Sequence, residues 1–411
     1  MTNIIDGIVL AYMFIGLYMS VLMLLLYVPN RKELFLYPKP KSEPVSVIIP
    51  CYNEGKTISK TIESILALDY PQELIEIIIV DDKSTDDSVE IIENFIKKYK
   101  NIRLLINEKN SGGAAEPTNL GIKAAKYDYI AVTDADSYPE PDALKKMIGF
   151  LQEDKKVGGV TCSVLARNPV KFMQKLQSIE YQVISFTRKL LDFVDAVYVT
   201  PGPFALYRKS VLLEIGLFDT KNLTQDIEIV WRLRKFGYRA KMCFAAKVYS
   251  TTPEKFRIWW KQRIRWSIGG TQTILKYRKD VFKNGMLGLF IIPFFTISLF
   301  IGLFGLGLFT YLILRRILVH YLSTNYSIYA NTAIIRVQDL TVTPTILNFF
   351  GIALFAIGLG LTMLVISTLK DREITNKNIF NILFYLIIYL TIYPFISLTA
   401  IYKLARNKYT W

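Results

Sequence analysis

The stretch Tyr129-Ile-Ala-Val-Thr-Asp134-Ala-Asp136 is an apolar run that stops at two carboxylates one residue apart. Side chains on an extended strand alternate with period two, so Asp134 and Asp136 are expected on the same side where the strand leaves the core. Two such oxygens suit a hard divalent cation, Mg2+ or Mn2+, which accepts carboxylate ligands and keeps positions open for phosphates. Taken alone, the pair reads first as a cap for a helix starting near Pro141. The rest of the chain favours the metal-bearing reading.

Upstream, Val45-Ser-Val-Ile-Ile49 ends in Pro50-Cys-Tyr-Asn-Glu54-Gly55, and Ile58, Ile62, Ile65 and Leu66 follow at helical spacing. Residues 75–80 form a second apolar run that leads into Asp81-Asp82, after which Val89, Ile92, Phe95 and Ile96 mark another helix. Residues 102–106 read as a third strand and 114–125 as a third helix. Alternation of this kind predicts a mostly parallel sheet with helices on both faces. Ligands of such sheets lie beyond the carboxyl ends of the strands, where Glu54, Asp81, Asp82, Asp134 and Asp136 are all expected. Like charges so close need a cation or hydrogen-bond donors to offset them. Cap and turn roles suit Asp86 and Asp87, but they do not account for acidic pairs at successive strand ends.

Downstream, residues 168–198 carry Phe172, Leu176, Ile179, Val183, Phe186 and Leu190 at helical spacing without a clean polar face. Two readings stay open, an amphipathic helix in the membrane surface and a core helix under the sheet. Thr200-Pro201-Gly202-Pro203 is a stiff loop. Leu223-Thr224-Gln225-Asp226 introduces a helix, for which Asp226 would be an ordinary first-turn acid. Phe256 to Trp266 packs three tryptophans and four cations into one helix. That segment suits either a headgroup anchor or a clamp of Arg forks and an indole face for a diphosphate and a sugar.

With 52% hydrophobic and 21% charged residues, the chain is too apolar for a soluble enzyme and too charged for a pure membrane bundle. Four stretches, 8–27, 286–314, 347–369 and 379–402, reach the ~20 residues that cross a hydrocarbon core. Arg31, Lys32, Lys39 and Lys41 after the first place residues 30–285 on the inner side, with the amino terminus outside and, after four spans, the carboxyl terminus outside too. Arg315, Arg316, Lys403, Arg406 and Lys408 oppose the later part of that topology. His320 is expected in an outer loop. The formal net charge of +15 comes without the basic and aromatic array of a nucleic-acid module, so it is assigned to the bilayer surface and a polyanionic substrate. Cys51, Cys162 and Cys243 read as reduced structural thiols.

Pro50-Cys-Tyr-Asn-Glu54, Asp81-Asp82, Asp134-Ala-Asp136, Thr224-Gln-Asp226 and Gln262-Arg-Ile-Arg265-Trp266, in that order, resemble the membrane-integrated family 2 glycosyltransferases that include cellulose, chitin and hyaluronan synthases. The resemblance spans residues 44–284. It implies a GT-A fold, α/β and Rossmann-like, in a cytoplasmic domain joined to a helical transmembrane region. The implied divisions are an anchor at 1–29, a nucleotide-sugar half at 44–165, an acceptor half at 166–284 and three spans in 285–411. By this resemblance, Pro50, Tyr52, Glu54, Asp81 and Asp82 hold the nucleoside. Asp136 with Asp134 holds the metal and diphosphate, braced by Gln262 and Arg265. Asp226 is the general base, while Trp266 and Gly202 meet the acceptor. The implied reaction is inverting transfer from a nucleotide-sugar, with a UDP-sugar expected, to a growing glycan, with passage of the product through the spans as a further expectation. The chain departs from the pattern at Gln225, where the family has Glu. It also has Asn110-Ser-Gly-Gly-Ala where many members have Gly-Lys, and it lacks a Phe-x-Val-Thr gating loop. Two alternatives stand beside this reading: single transfer to a lipid acceptor, as in ceramide glucosyltransferases, and a non-catalytic transporter or scaffold that binds nucleotide.

Overall fold

The computed structural model describes residues 4–330, 346–369 and 378–408. An apolar helix, α1 (Ile4–Asn30), precedes an alternating run: β1 (Val45–Cys51), α2 (Ile58–Leu66), β2 (Ile75–Asp81), α3 (Ser88–Ile96), β3 (Ile102–Ile106), α4 (Ala115–Ala124) and β4 (Tyr129–Val132). Then come β5 (Ser137–Pro139), α5 (Ala143–Glu153), β6 (Val157–Ala166), α6 (Phe172–Asp192), β7 (Ala205–Arg208), α7 (Lys209–Ile215), α8 (Gln225–Lys235), β8 (Arg239–Ser250) and α9 (Phe256–Tyr277). The eight strands form one sheet in the order β3-β2-β1-β4-β7-β6-β8-β5.

Strands β3, β2, β1 and β4 are parallel, as the strand-helix alternation predicts. Every residue of β1 and β2 is buried, because helices cover both faces and leave no solvent side to alternate with. Each of their Val and Ile side chains contributes about 1.5–3 kcal/mol by leaving water. The second half is mixed: β7 runs antiparallel to β4 and β6, β6 is parallel to β8, and β5 is antiparallel to β8.

Among the described residues, four helices are long and apolar enough to cross a membrane: Ile4–Asn30, Leu287–Tyr329, Phe349–Leu369 and Ile379–Ala405. Leu287–Tyr329 is a π turn, Leu287–Ile291, that runs on into α10 (Ile292–Tyr329). A straight 38-residue helix such as α10 is roughly 57 Å long, about twice the ~30 Å hydrocarbon core. Arg315, Arg316 and His320 therefore ride on a helical extension, and the expected outer loop at His320 is corrected to helix. The third of these apolar helices, Phe349–Leu369, lies within α11 (Ile346–Leu369). In the last rod, α12 (Ile379–Phe384) and α13 (Tyr393–Ala405) are joined by a π turn, Tyr385–Tyr389, and a 3-10 turn, Leu390–Ile392.

Helix α6 resolves the two readings of its segment. It lies between the sheet strands β6 and β8 on one side and α1 and α11 on the other, with Gln177, Ser178, Glu180, Gln182 and Arg188 buried alongside its apolar residues. It is a core helix that joins the domain to the membrane helices. The polar face that a surface helix would turn to water is turned inward here.

Candidate active site

The Asp-x-Asp pair differs from its expected setting. Strand β4 ends at Val132, and Asp134 and Asp136 sit in the turn between β4 and β5, so strand alternation does not aim them. The turn is tied down from several sides. Thr133 N–H donates to Ile48 O at 3.0 Å, Thr61 Oγ1 to Ala135 O at 2.8 Å, Ser137 N–H to Asp134 O at 3.2 Å and Ser137 Oγ to Asp136 Oδ1 at 3.3 Å. The helix expected at Pro141 starts at Ala143, with Asp142 before it, so neither aspartate of the pair caps it.

The loop Thr200–Pro203 crosses in front of this turn. Thr200 N–H donates to Asp226 O at 3.3 Å. A methyl group on Gly202 would lie 2.5 and 2.6 Å from the two Asp134 carboxylate oxygens. One stiff loop thus touches both the Asp-x-Asp turn and the first turn of α8, and only a residue without a side chain fits at its centre. Gly202→Ala should displace the Asp134 carboxylate and lower activity at least tenfold, as sub-ångström misplacement of reacting groups does. The thermal midpoint should stay within a few degrees. Steady-state rates and a melting curve on one preparation check this.

Asp226 is held from behind. A methyl on Gly269 of α9 would lie 2.6 Å from Thr224 N, so glycine there lets α9 close on the start of α8. Asn222 Nδ2 donates to Thr273 Oγ1 at 2.9 Å, and Leu223 N–H to Gln272 Oε1 at 3.1 Å. Deeper in α8, Glu228 is fully buried and bonded by Lys276 (2.7 Å) and Tyr277 (2.8 Å) as well as by the Arg232 fork.

Electrostatics bring Glu54, Asp134, Asp136, Asp226 and Arg265 into one cluster. Burial pushes the Asp134 carboxyl up to about 7, with Asp136 and Asp226 adding to the shift and Arg265 opposing it. Burial followed by the Glu54 charge raises Asp136 to about 6. Asp226 and Glu54 are also raised, chiefly by burial, and Arg265 is lowered by burial against the pull of Asp226 and Asp134. Crowded hard oxygens whose ionised forms are disfavoured in this way fit a divalent cation, whose charge would offset theirs. Among the described residues no group of three His, Cys, Asp or Glu side chains forms a metal cage, so further ligands would have to come from a bound diphosphate and water.

Tyr52 is half exposed beside this cluster, and Glu54 Oε2 accepts from Thr57 Oγ1 at 2.6 Å. Pro50 lies within β1, in register with Val80. Asp81 and Asp82 are buried with their oxygens engaged. Asp81 accepts from Ser84 N–H at 3.1 Å, and Asp82 accepts from Asn107 Nδ2 at 2.6 Å and from Ser111 N–H and Oγ at 3.0 and 2.8 Å. Asp82 thus shapes the 107–113 loop. On α9, Trp259 is fully buried while Gln262, Arg265 and Trp266 are partly buried. The headgroup-anchor reading therefore does not suit the middle of this helix. Sequence reasoning missed Tyr181 and Glu180, which lie next to these residues, and gave Arg263, inside the quoted Gln262–Trp266 motif, no role of its own. No local pattern marks the Glu180–Arg263 pairing, because the two are far apart in the chain.

An α/β sheet with this half-parallel, half-mixed order, an acidic turn after β4 and an acid at the start of α8 has the GT-A arrangement. Residues 46–216 match the family model "Glycosyl transferase family 2". Among curated proteins, the poly-beta-1,6-N-acetyl-D-glucosamine synthase of Staphylococcus epidermidis is 35% identical over 272 residues, covering 66% of this chain and 65% of that protein. The synthase of the same name from Staphylococcus aureus (strain COL) is 35% identical over 253 residues, covering 61% and 60%. The chain thus spans just under two thirds of the length of these relatives. Among solved structures, a mannosyltransferase from Pyrobaculum calidifontis in complex with GDP-Man and Mn2+ shares the fold across 98% of this chain and 100% of its own, with a TM-score of 0.58 and 19% identity.

Proposed function

We propose that the protein is a membrane-integrated, inverting hexosyltransferase that moves N-acetylglucosamine from its UDP-sugar to a growing polysaccharide at the cytoplasmic face, with Mg2+ or Mn2+ bound at Asp136 and Asp134. The observation that carries this reading is the single loop, Thr200–Pro203, that touches Asp226 on one side and Asp134 on the other. Displacement at an anomeric carbon needs a base on one face and a stabilised leaving group on the other. Asp226, ionised and next to Arg265, takes the acceptor hydroxyl's proton as that oxygen attacks. Arg265 and Gln262 brace the departing diphosphate, whose charge a divalent cation at Asp136 and Asp134 would neutralise. Pro50, Tyr52 and Glu54 flank the nucleoside, and Asp81 and Asp82 act by shaping its pocket. The choice of sugar and polymer follows the names of the staphylococcal relatives. The cytoplasmic, multi-pass placement follows the basic residues after α1 and the four apolar helices.

The test is to incubate the purified full chain with a panel of nucleotide-sugars and a divalent cation, measuring nucleotide release and product mass. The expected result is consumption of UDP-N-acetylglucosamine with a ladder of products. A single added sugar would move the acceptor to a lipid, and no release with any donor would sink the enzyme reading. In the same assay Trp266→Ala should lower acceptor transfer by roughly tenfold or more while donor hydrolysis stays near normal. The stacking of an aromatic face on a ring is worth about 0.5–1.5 kcal/mol beyond its area, and only the acceptor uses it here.

A further inference from the structure

Helix α9 carries, between Gln262 and Arg265, a cation that the proposed chemistry does not use. Arg263 has a side-chain exposure of 1%, and it pairs with Glu180 of α6, itself 4% exposed. Its Nε donates to Glu180 Oε1 at 3.2 Å and to the Tyr393 hydroxyl at 3.1 Å, its Nη2 bonds Glu180 Oε2, and its Nη1 donates to Gln262 Oε1 at 2.6 Å. The same carboxylate accepts from the hydroxyls of Tyr389, at 2.6 Å, and Tyr393. Trp259 Nε1 in turn donates to the Tyr389 hydroxyl at 2.6 Å. Tyr389 closes the π turn of the last membrane rod and Tyr393 opens α13. The irregular turns between them bring both hydroxyls onto one carboxylate, and π turns of this kind recur at functional sites.

A buried ion pair is seldom retained for net stability, since apolar residues of similar volume usually serve as well or better, and its best-attested use is to fix register between elements. Here the pair joins α6, α9 and the last membrane rod at one point. It also touches the proposed acceptor side directly. The Arg263 guanidinium lies 4.0 Å from the centroid of the Trp266 ring, so it stacks on one face of the indole.

We propose that Glu180, Arg263, Tyr389 and Tyr393 are positioning residues through which the last membrane rod sets the placement of Trp266. A shift of that rod then changes acceptor use while donor binding at Asp134 and Asp136 is left alone. This rests on the reading above that Trp266 meets the acceptor.

Tyr393→Phe removes one hydroxyl and keeps the ring, so the variant should fold. In the full-length protein it should lower acceptor transfer by roughly ten- to a hundredfold, the scale of a misplaced reactant, with donor KM and donor hydrolysis within about twofold of normal. Its indole emission should differ from that of the unaltered protein, and the difference should vanish in a Trp266→Phe background. Equal loss of hydrolysis and transfer would reduce the cluster to a structural role and overturn the proposal, as would unchanged transfer. Should the unaltered protein release no nucleotide from any donor, the enzyme reading fails by itself and emission decides the coupling. A Tyr393→Phe change that depends on Trp266 then upholds it, and no change overturns it.

Discussion

Asp226→Asn is expected to lower sugar transfer by roughly 10²–10⁴-fold, the range of a lost general base, while nucleotide-sugar binding stays within a few-fold of normal. The amide keeps the shape of the carboxylate. Its oxygen can still accept the 3.1 Å bond from Ile227 N–H, and the backbone bond from Thr200 does not involve the side chain. A proton acceptor is lost and little else, whereas a helix-dipole contribution alone would change stability by about 0.3–1 kcal/mol and leave the rate near normal. Burial raises this carboxyl above its usual 3.8, so the protonated, inactive form persists to higher pH and the acid limb of kcat/KM should lie above that value. Donor affinity, transfer rate and a pH profile on one preparation separate these cases. Near-normal transfer by the mutant would remove Asp226 from the mechanism.

The parallel half of the sheet was legible because its inner strands β1 and β2 are buried on both faces and leave apolar runs rich in Val and Ile, each stopping at an acidic or Asn-containing turn. For the Asp-x-Asp motif the local geometry differs from the one expected. Alternation along a strand would aim Asp134 and Asp136 together, yet both lie past the end of β4 and are aimed by bonds from Ile48, Thr61 and Ser137. The acidic doublet at Asp81 and Asp82 was visible, but that Asp82 is bonded by Asn107 and Ser111 depends on how the 107–113 loop folds back.

Less of the second half could be read. Helix α6 showed apolar residues at helical spacing, but its buried Gln, Ser, Glu and Arg hide its role, since polarity in sequence normally signals exposure. Glu180 meets Arg263 across 83 residues and Tyr389 across 209. Such a pairing follows from tertiary packing alone, and neither composition nor periodicity records it. Gly202 was legible as part of a stiff loop, whereas the reason it must be glycine, the Asp134 carboxylate against its α-carbon, appears only in three dimensions.

Asp136→Asn should nearly abolish activity, by about two orders of magnitude or more, and should weaken the response to Mg2+ or Mn2+ in step. An amide is a poorer ligand than a carboxylate for a hard cation, so metal affinity and leaving-group stabilisation fall together. The alternative is that Asp136 serves only the turn it sits in, where its side chain accepts a single 3.3 Å bond from Ser137. Asparagine can accept that bond equally well, so on this alternative both rate and stability would be nearly unchanged. Burial together with the Glu54 charge holds the Asp136 carboxyl up at about 6, so in the cation-free protein the neutral amide relieves a charge that the fold tolerates poorly. The mutant should thus be at least as resistant to heat as the unaltered protein without metal, and lose whatever stabilisation the unaltered protein gains when metal and nucleotide are added together. Melting curves with and without Mn2+ and UDP, set beside turnover in excess chelator, test both halves. Undiminished turnover in chelator would show that no divalent cation takes part.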